Sequence, residues 1–345
     1  MKRSSALRRT IVAGFTLAVV ATSVLSSVAR AQDEMNVKIG YYAGAMLQAL
    51  FFVADVKGFY NEAGLKPTFI PVASGPLVNS QIASGAIDFG FNTPPNIALA
   101  RERGLDQVFI LGNVTMPYVL IAHSDVKIPN KGKYPAVMRD LKGLNWGVFA
   151  RGADTEMFLR IMAGEAKLDV DKDMTWIGVG PPPTALPALK AKQIDVYMSL
   201  DPAPIVASAG GYGQTVVDLR KGEGPADFKD IPYQGIVTLR KTAESRPKAV
   251  EAIAKAHARA YCWVNDKKNL GELLTILKTK LPVGDLSETQ FRQMVLENIP
   301  TFTLTFPGAP FKVWNDMFMS AKILKSPVPP DAILWKSVPK SDPRC

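Results

Sequence analysis

The sequence predicts an α/β protein made of two similar lobes with a cleft between them. Three observations support this prediction. Apolar strand patterns alternate with helix patterns through short connections, which is typical of βαβ units and of a mostly parallel sheet with covered faces. The same order of patterns returns 107 residues later along the chain. Two further apolar stretches carry the chain across to the second series and back, as at a hinge.

The first series runs from residue 35 to residue 114. Strand patterns cover 35–44, 65–73, 86–92 and 106–114, and helix patterns cover 46–64, 74–85 and 93–104. Ser74 suits the N-cap of the second helix. Two prolines, Pro94 and Pro95, begin the third helix, where a missing N–H costs little. The apolar stretch before them is therefore predicted to be a buried strand.

The second series repeats this order from residue 141. Strands are predicted over 141–152, 174–180, 193–200 and 212–220, and helices over 153–166, 181–192 and 201–211. At the offset of 107, Ile87-Asp88 matches Ile194-Asp195. Two unrelated series that run in phase are the alternative. In either case each acid lies in a turn that feeds a strand, so we expect backbone N–H groups to bind both carboxylates.

The crossings divide the chain into lobes. Lobe 1 comprises 36–120 and 235–345, lobe 2 comprises 121–234, and the hinges lie near 117–124 and 232–240. The segment after residue 240 is mostly helical, with few strand patterns of its own. We expect it to pack on the first lobe.

The first 31 residues are predicted to be a cleaved secretory signal peptide. A basic start, MKRSSALRR, precedes an apolar run and the pattern Ala29-Arg30-Ala31. Without this segment the formal charge falls from +10 to +5. No densely basic stretch remains, so nucleic acid is not an expected partner.

The chain has two cysteines, Cys262 and Cys345. Export would permit a disulfide between them. Their separation in space cannot be read from the sequence, and Cys345 ends a tail that is expected to be loose. The sequence therefore favours two cysteines without a structural bridge.

Patterns typical of catalysis are missing from the sequence. It has no G-x-S-x-G elbow, P-loop, G-x-G-x-x-G fingerprint or Cys/His cluster with metal-ligand spacing. The two histidines, His123 and His257, lie among apolar residues without a paired nucleophile, so we expect structural roles for both. No catalytic residue, metal site or cofactor is predicted.

Small and hydroxyl residues follow several of the predicted strands, where ligands bind in α/β sheets. They lie in the segments Tyr41–Gly44, Ser74–Gly75, Asn92–Thr93 and Arg151–Thr155. Such residues let a ligand approach backbone N–H groups, and helix dipoles favour an anion there. Each one alone is equally typical of a helix cap. Because four such segments occur, we expect a binding site.

These stretches resemble a known family. The resemblance is carried by IGYYAG, ALFFVADVKGFYNEAGL and SGPLVNSQIASGAIDFGFNTPP in the first series, and by DLKGLNWGVFARGADTEMFLR and ALKAKQIDVYMSLDP in the second. They are similar to periplasmic solute-binding proteins of ABC importers of the nitrate, taurine and alkanesulfonate type, a group that includes binders of thiamin-pyrimidine and riboflavin-like ligands. The resemblance covers nearly the whole chain after the signal peptide.

The resemblance implies a two-lobed periplasmic-binding-protein fold of type II-like topology. It implies a monomer in the periplasm that captures one small solute and delivers it to a membrane permease. Ligand-binding residues carried over by position are Tyr41, Tyr42, Ala43, Gly44, Ser74, Gly75, Asn92, Thr93, Gly152, Ala153, Asp154, Thr155 and Asp201, to which the cleft tyrosine Tyr233 is added.

Two departures bear on the ligand. The second series reads Arg-Gly-Ala-Asp over 151–154, where the family often has Gly-Ser, and three prolines occupy 181–183. Both weaken the case for a sulfonate or nitrate, and the tyrosines favour a flat or aromatic ligand, with or without a carboxylate. We expect an anionic or aromatic solute. The alternatives are an enzyme of the same fold related to thiamin-pyrimidine precursor synthesis, and a secreted ligand sensor.

Overall fold

The structure is a computed structural model that describes residues 35–306 and 309–345. The predicted signal peptide over residues 1–31 lies outside this part of the chain. Among the described helices, none combines the length and the apolar composition that crossing a membrane requires. Strands and helices alternate through both series, as the sequence predicts. The strands are β1 (Met35–Tyr41), β2 (Leu65–Pro71), β3 (Gly90–Asn92), β4 (Gln107–Thr115), β5 (Val119–His123), β6 (Asn145–Val148), β7 (Thr175–Gly178), β8 (Val196–Ser199), β9 (Gly213–Asp218) and β10 (Pro232–Leu239).

The helices follow the predicted order, with one break. The first predicted helix divides at Gly58, whose φ of 69° lies in the left-handed region that favours glycine. The predicted cap is confirmed, because the Ser74 hydroxyl accepts a hydrogen bond from the N–H of Leu77 at 3.4 Å. The helices are α1 (Ala49–Val56), α2 (Phe59–Glu62), α3 (Gly75–Ser84), α4 (Pro94–Glu102), α5 (Asp154–Glu165), α6 (Pro182–Lys190), α7 (Ala203–Ala209), α8 (Arg240–Ser245), α9 (Pro247–Asn265), α10 (Leu270–Lys280), α11 (Glu288–Asn298), α12 (Ala309–Ser320) and α13 (Pro330–Ile333).

The strands form two separate sets. In the first set β1 pairs with β2, and β10 lies between β3 and β4. Ile39 of β1 forms a parallel bridge to Phe89, just before β3, and so joins these two sheets. The second set is one five-stranded sheet in the order β7-β6-β8-β5-β9. Helices of each series cover these sheets.

The expectation of mostly parallel sheets is wrong for the two crossing strands. β10 runs antiparallel to both β3 and β4, and β5 runs antiparallel to both β8 and β9. Pairing is parallel for β1 with β2 and for β6 with β7 and β8. A crossing strand comes from the other sheet rather than through a helical crossover within its own sheet, so the rule that makes βαβ strands parallel does not apply to it.

The two series repeat one backbone contact. The Asp88 carboxylate accepts from the N–H of Lys38 at 2.8 Å, and the Asp195 carboxylate accepts from the N–H of Asn145 at 2.9 Å. Lys38 and Asn145 are themselves 107 residues apart. The prediction that backbone donors bind both acids is therefore confirmed.

The C-terminal helices contact elements of both series. On the first side, the Tyr60 hydroxyl of α2 lies 2.7 Å from Nε2 of His257 in α9. On the second side, the ring of Phe158 in α5 lies 5.6 Å from that of Trp314 and 6.3 Å from that of Phe318, both in α12. The tail thus packs on more than the first series.

Cys262 and Cys345 form a disulfide across 83 residues of chain, so the expectation of no bridge is wrong. The tail is held in place before it reaches the cysteine. The Asp342 carboxylate accepts from the N–H of Leu304 at 2.6 Å and lies within hydrogen-bond distance of the Thr303 hydroxyl. Anchored in this way, Cys345 lies beside α9, a proximity that the sequence alone does not reveal.

Candidate ligand-binding site

A narrow cavity lies between the two sets of strands, and its solvent-accessible volume is only about 10 Å³. Its walls come from three kinds of segment, which are the loops after strands, the first turn of α5, and the beginnings of the two crossing stretches. The residues that line it are Tyr42, Ala45, Leu47, Gly75, Thr93, Tyr118, Phe149, Asp154, Leu200, Tyr233 and Gln234. This is the place that the rule for ligands at the ends of α/β strands indicates.

Five residues of the predicted site line this cavity: Tyr42, Gly75, Thr93, Asp154 and Tyr233. They come from five different chain segments. Gly75 is required by close approach, because a Cβ there would lie 2.0 Å from the amide nitrogen of Asn96.

Other predicted residues of the first series lie close by but do not line the cavity. The Asn92 amide nitrogen binds Asn79 at 2.7 Å, and its oxygen accepts from the N–H of Thr93 at 2.9 Å. Tyr41 stacks on Phe51 with ring centroids 4.7 Å apart. The remaining ones are the cap residue Ser74, half-buried Ala43 and buried Gly44.

The other predicted residues of the second series are bound to protein groups. Gly152 donates its N–H to Glu156 at 2.9 Å, and the Thr155 hydroxyl accepts from the N–H of Phe149 at 3.2 Å. Ala153 precedes α5 with 1% of its surface exposed. The Asp201 carboxylate lies in a buried ion pair. These four residues position the walls rather than form them.

The Asp201 ion pair connects three elements. Its carboxylate accepts from the guanidinium of Arg220, which also binds Asp218 at 2.8 Å, and from the amide of Asn298 at 2.6 Å. Burial raises the pKa of Asp201, while Arg220 and Asn298 oppose the increase. Asp201 is thus committed to protein partners and is not available to a ligand in this arrangement.

Six lining residues were not predicted from the sequence. They are Ala45, Leu47, Tyr118, Phe149, Leu200 and Gln234. The internal offset carried a signal for three of them, since it pairs Leu47 with Asp154, Phe149 with Tyr42 and Leu200 with Thr93. The sequence also carried a signal for Tyr118, because the first crossing begins with Pro-Tyr, as the second does at Tyr233.

Hydrogen bonds connect Asp154 to both crossing stretches. The Tyr233 hydroxyl donates to the Asp154 carboxylate and lies 2.6 Å from the Tyr118 hydroxyl. Burial raises the pKa of Asp154, and the hydrogen bonds from Tyr233 and Asn96 act against this. Burial and the nearby Asp154 raise the pKa of Tyr233 well above its usual range, so its hydroxyl keeps its proton and donates.

A second network fixes Gln234. Its amide oxygen accepts from Gln48 and from Asn113, each at 3.0 Å. Asn113 also donates to the carbonyl of Leu47 at 2.8 Å. The oxygen of Gln234 is therefore occupied, and its amide nitrogen is the group that can donate to a ligand.

The described residues contain no cluster of three or more His, Cys, Asp and Glu side chains that could hold a metal ion. The histidines have the structural positions that the sequence predicts. His257 is fully buried against Tyr60, and burial lowers its pKa to about 3. Nδ1 of His123 accepts from the N–H of Asp125 at 3.2 Å.

The chain matches known proteins over most of its length. The family model of the NMT1-like family matches residues 30–278. A Brucella abortus (strain 2308) protein, provisionally named as a binding protein, is 30% identical over 90% of this chain and 93% of its own length. Related proteins of Brucella suis and Brucella melitensis match equally well.

Solved structures share the fold. A protein of Bordetella bronchiseptica RB50 superposes with a TM-score of 0.76, at 20% identity, over 88% of this chain and 95% of that one. The alkanesulfonate-binding protein SsuA of Xanthomonas axonopodis pv. citri gives 0.71, at 16% identity, over 88% and 99%. The nitrate-binding protein NrtA of Synechocystis PCC 6803 gives 0.62, at 17% identity, over 90% and 93%. The chain thus shares the fold of these binding proteins, as the resemblance implies, and the match to the family model shows that it belongs to the NMT1-like family.

Proposed function

We propose that this protein is the periplasmic substrate-binding component of an ABC-type importer, and that it captures a small solute without chemical turnover. The observation that carries this function is the cavity between the two strand sets, with walls from both series and from both crossings. The binding proteins among its relatives and structural neighbours support it.

Two lobes would close on the solute. Lobe 1 would comprise 36–120 and 235–345, and lobe 2 would comprise 121–234, with hinges near 117–124 and 232–240. The separation of the strand sets supports this division, since every strand of the five-stranded sheet lies within 119–218. The narrow cavity is what a closed arrangement would look like, and a ligand would stabilise that arrangement by binding it more tightly than an open one.

Of the expected ligand classes, the aromatic one has the support of the cavity walls. Four aromatic side chains line the cavity, and the ring of Tyr118 lies 5.1 Å from that of Tyr233 and 6.1 Å from that of Phe149. These rings pack on one another edge to face, and the faces that line the cavity can make contacts of the same kind with a flat ligand ring. The walls of the cavity lie close together and leave room for little more than one water molecule, so a solute would enter while the two lobes are apart.

The export signal, the periplasmic location and the partnership with a permease belong to the same proposal, as does a monomeric state. Mass spectrometry of protein recovered from the periplasm should find a chain that begins at Gln32. Recovery of the uncleaved chain in the membrane fraction would contradict this expectation.

A thermal-shift screen tests the function directly. The panel would contain sulfonates, aromatic acids, aromatic amines, pyrimidines and flavins. We expect a saturable increase in the melting temperature with one chemical class, a smaller radius of gyration in X-ray scattering, and an unchanged ligand after incubation. Formation of a product would indicate an enzyme, and binding without compaction would contradict closure of the two lobes.

A further inference from the structure

We propose that the ligand presents an N–H donor or a positive charge to Asp154, and that this carboxylate excludes solutes with an anionic head group. This rests on the proposed function, because it names the chemistry of the solute that the same cavity would take. Asp154 would be the specificity-determining residue.

The cavity contains an acidic side chain and no basic one. Asp154 has 4% of its surface exposed and lines the cavity. The other lining residues are glycine, threonine, glutamine, aliphatic and aromatic residues, none of which is basic. The side chains that bind the carboxylate are the neutral groups of Tyr233 and Asn96. A buried carboxylate of this kind is best compensated by a cation or by N–H donors.

Basic side chains near the strand ends are already engaged with acids. Arg151 binds Glu156 at 2.8 Å, and so does Arg160 at 2.9 Å. Arg220 binds the buried pair Asp201 and Asp218. A sulfonate or carboxylate that entered this cavity would therefore meet Asp154 before it met a guanidinium.

Asp154 also occupies the helix terminus that an anion would otherwise use. It is the first residue of α5, where unpaired N–H groups and the helix dipole attract negative charge. The N–H groups of Asp154 and Thr155 bind this carboxylate and oppose the increase that burial causes in its pKa. The anion at this terminus is thus supplied by the protein, and a second one would be repelled at short range.

The remaining polar groups describe the complementary ligand. Asp154 can accept from an amino or amidino group, and the amide nitrogen of Gln234 can donate to a ring nitrogen or a carbonyl oxygen. The rings of Tyr42, Tyr118 and Phe149 line the same cavity and provide flat apolar surface. An amino- or amidino-substituted aromatic ring would satisfy all three features.

Calorimetric titration with three probes of one ring shape tests this directly. The probes are benzamidine, benzoate and benzenesulfonate, which differ mainly in the charge of the head group. We expect benzamidine to bind at least about tenfold more tightly than either anion. Tighter binding of benzoate or benzenesulfonate, or no binding of benzamidine at millimolar concentration, would overturn the inference. If an anionic probe bound more tightly than benzamidine, with compaction and without turnover, this inference would be overturned and the proposed function would stand.

The variant Asp154→Asn keeps the size of the side chain and removes its charge. We expect it to weaken benzamidine binding at least about tenfold and to reduce the discrimination against benzoate. Asp227→Asn, a change at an exposed acid of the proposed lobe 2, is the matched control and should change neither value. Unchanged benzamidine affinity in a folded Asp154→Asn protein would overturn the inference. If this variant does not fold, the preference of the wild-type protein among the three probes decides whether the inference holds.

Discussion

The two series share their backbone framework and differ at the cavity. Asp88 and Asp195 bind equivalent N–H groups at nearly the same distance. Ile87 and Ile194 pack equally closely on equivalent glycines, where an added Cβ would lie 2.7 Å and 2.5 Å from the isoleucine Cδ1 atoms. At these two contacts, away from the cavity, the second series therefore repeats the first.

At the cavity, equivalent positions carry opposite chemistry. Three pairs at the offset of 107 line it from opposite sides, and in each pair one side chain is polar and the other apolar. The pairs are Tyr42 with Phe149, Leu47 with Asp154, and Thr93 with Leu200. The repeat thus brings both members of each pair to the cavity. Because the two residues of a pair differ in polarity, the two walls of the cavity offer different contacts to a ligand.

A fourth pair of equivalent positions differs in charge. Asn113 of the first series joins neutral amides, whereas Arg220 of the second series binds two buried carboxylates. Arg220→Met should reduce the free energy of unfolding by about 3–5 kcal/mol, since it leaves Asp201 and Asp218 without their cation. Asn113→Leu should cost only about 1–3 kcal/mol. Urea denaturation measures both values, and an equal or larger loss for Asn113→Leu would break the comparison.

Helix α9 adds a pH-sensitive contact on the side of the first series. Burial lowers the pKa of His257 to about 3, so the unfolded chain takes up this proton first as the pH falls. The stability that the neutral imidazole provides is complete above about pH 6.5 and declines towards pH 3 by up to about 1.4 kcal/mol per pH unit.

His257→Gln keeps a partner for the Tyr60 hydroxyl and does not titrate. As the pH falls from 7 to 5, the unfolding free energy of the wild type should decrease relative to that of this variant. A difference that stays constant over this range would show that His257 is not neutral and buried in the folded protein.

The repeated aspartates offer a test within the framework. Asp88→Ala and Asp195→Ala each leave one backbone N–H without its acceptor, so each should cost about 1–2 kcal/mol. Asp88 also lies 3.3 Å from the guanidinium of Arg246, and its variant should be affected slightly more. Denaturation of both variants under one condition checks this, and a large loss at only one site would contradict an equivalent role.

Tyr42→Phe makes one cavity pair chemically alike and should have the smallest effect on stability. The Tyr42 hydroxyl makes no hydrogen bond to another of the described residues, so the unfolding free energy should change by less than about 0.5 kcal/mol. The affinity for the ligand found in the screen should fall a few-fold if the hydroxyl faces it. Phe149→Leu is the control for loss of ring surface on the opposite wall. A large loss of stability in Tyr42→Phe would show a structural role instead.

The sequence predicted the order of elements because each one carries its own local pattern. It also predicted that Asp88 and Asp195 bind backbone groups, since a turn before a strand supplies such donors locally. It did not predict the Cys262–Cys345 bridge or the antiparallel crossing strands. Both depend on how distant segments meet, which local patterns do not encode.

The site shows the same division. Tyr42, Thr93 and Asp154 were predicted because they follow strands or begin a helix. Gln234 was not, because its place in the cavity depends on an amide network with Gln48 and Asn113, from two other segments. Asp201 has the expected position after β8, but its partner Arg220 could not be identified without the three-dimensional arrangement.

A crystal structure of the protein with the tightest-binding compound of the screen tests the central claim most directly. We expect the compound to lie between the two strand sets, in contact with Tyr42, Tyr118 and Tyr233, and with an N–H donor within 3.2 Å of an Asp154 oxygen. A ligand bound elsewhere, for example in the surface groove beside Leu186, Val206 and Leu286, would contradict the account.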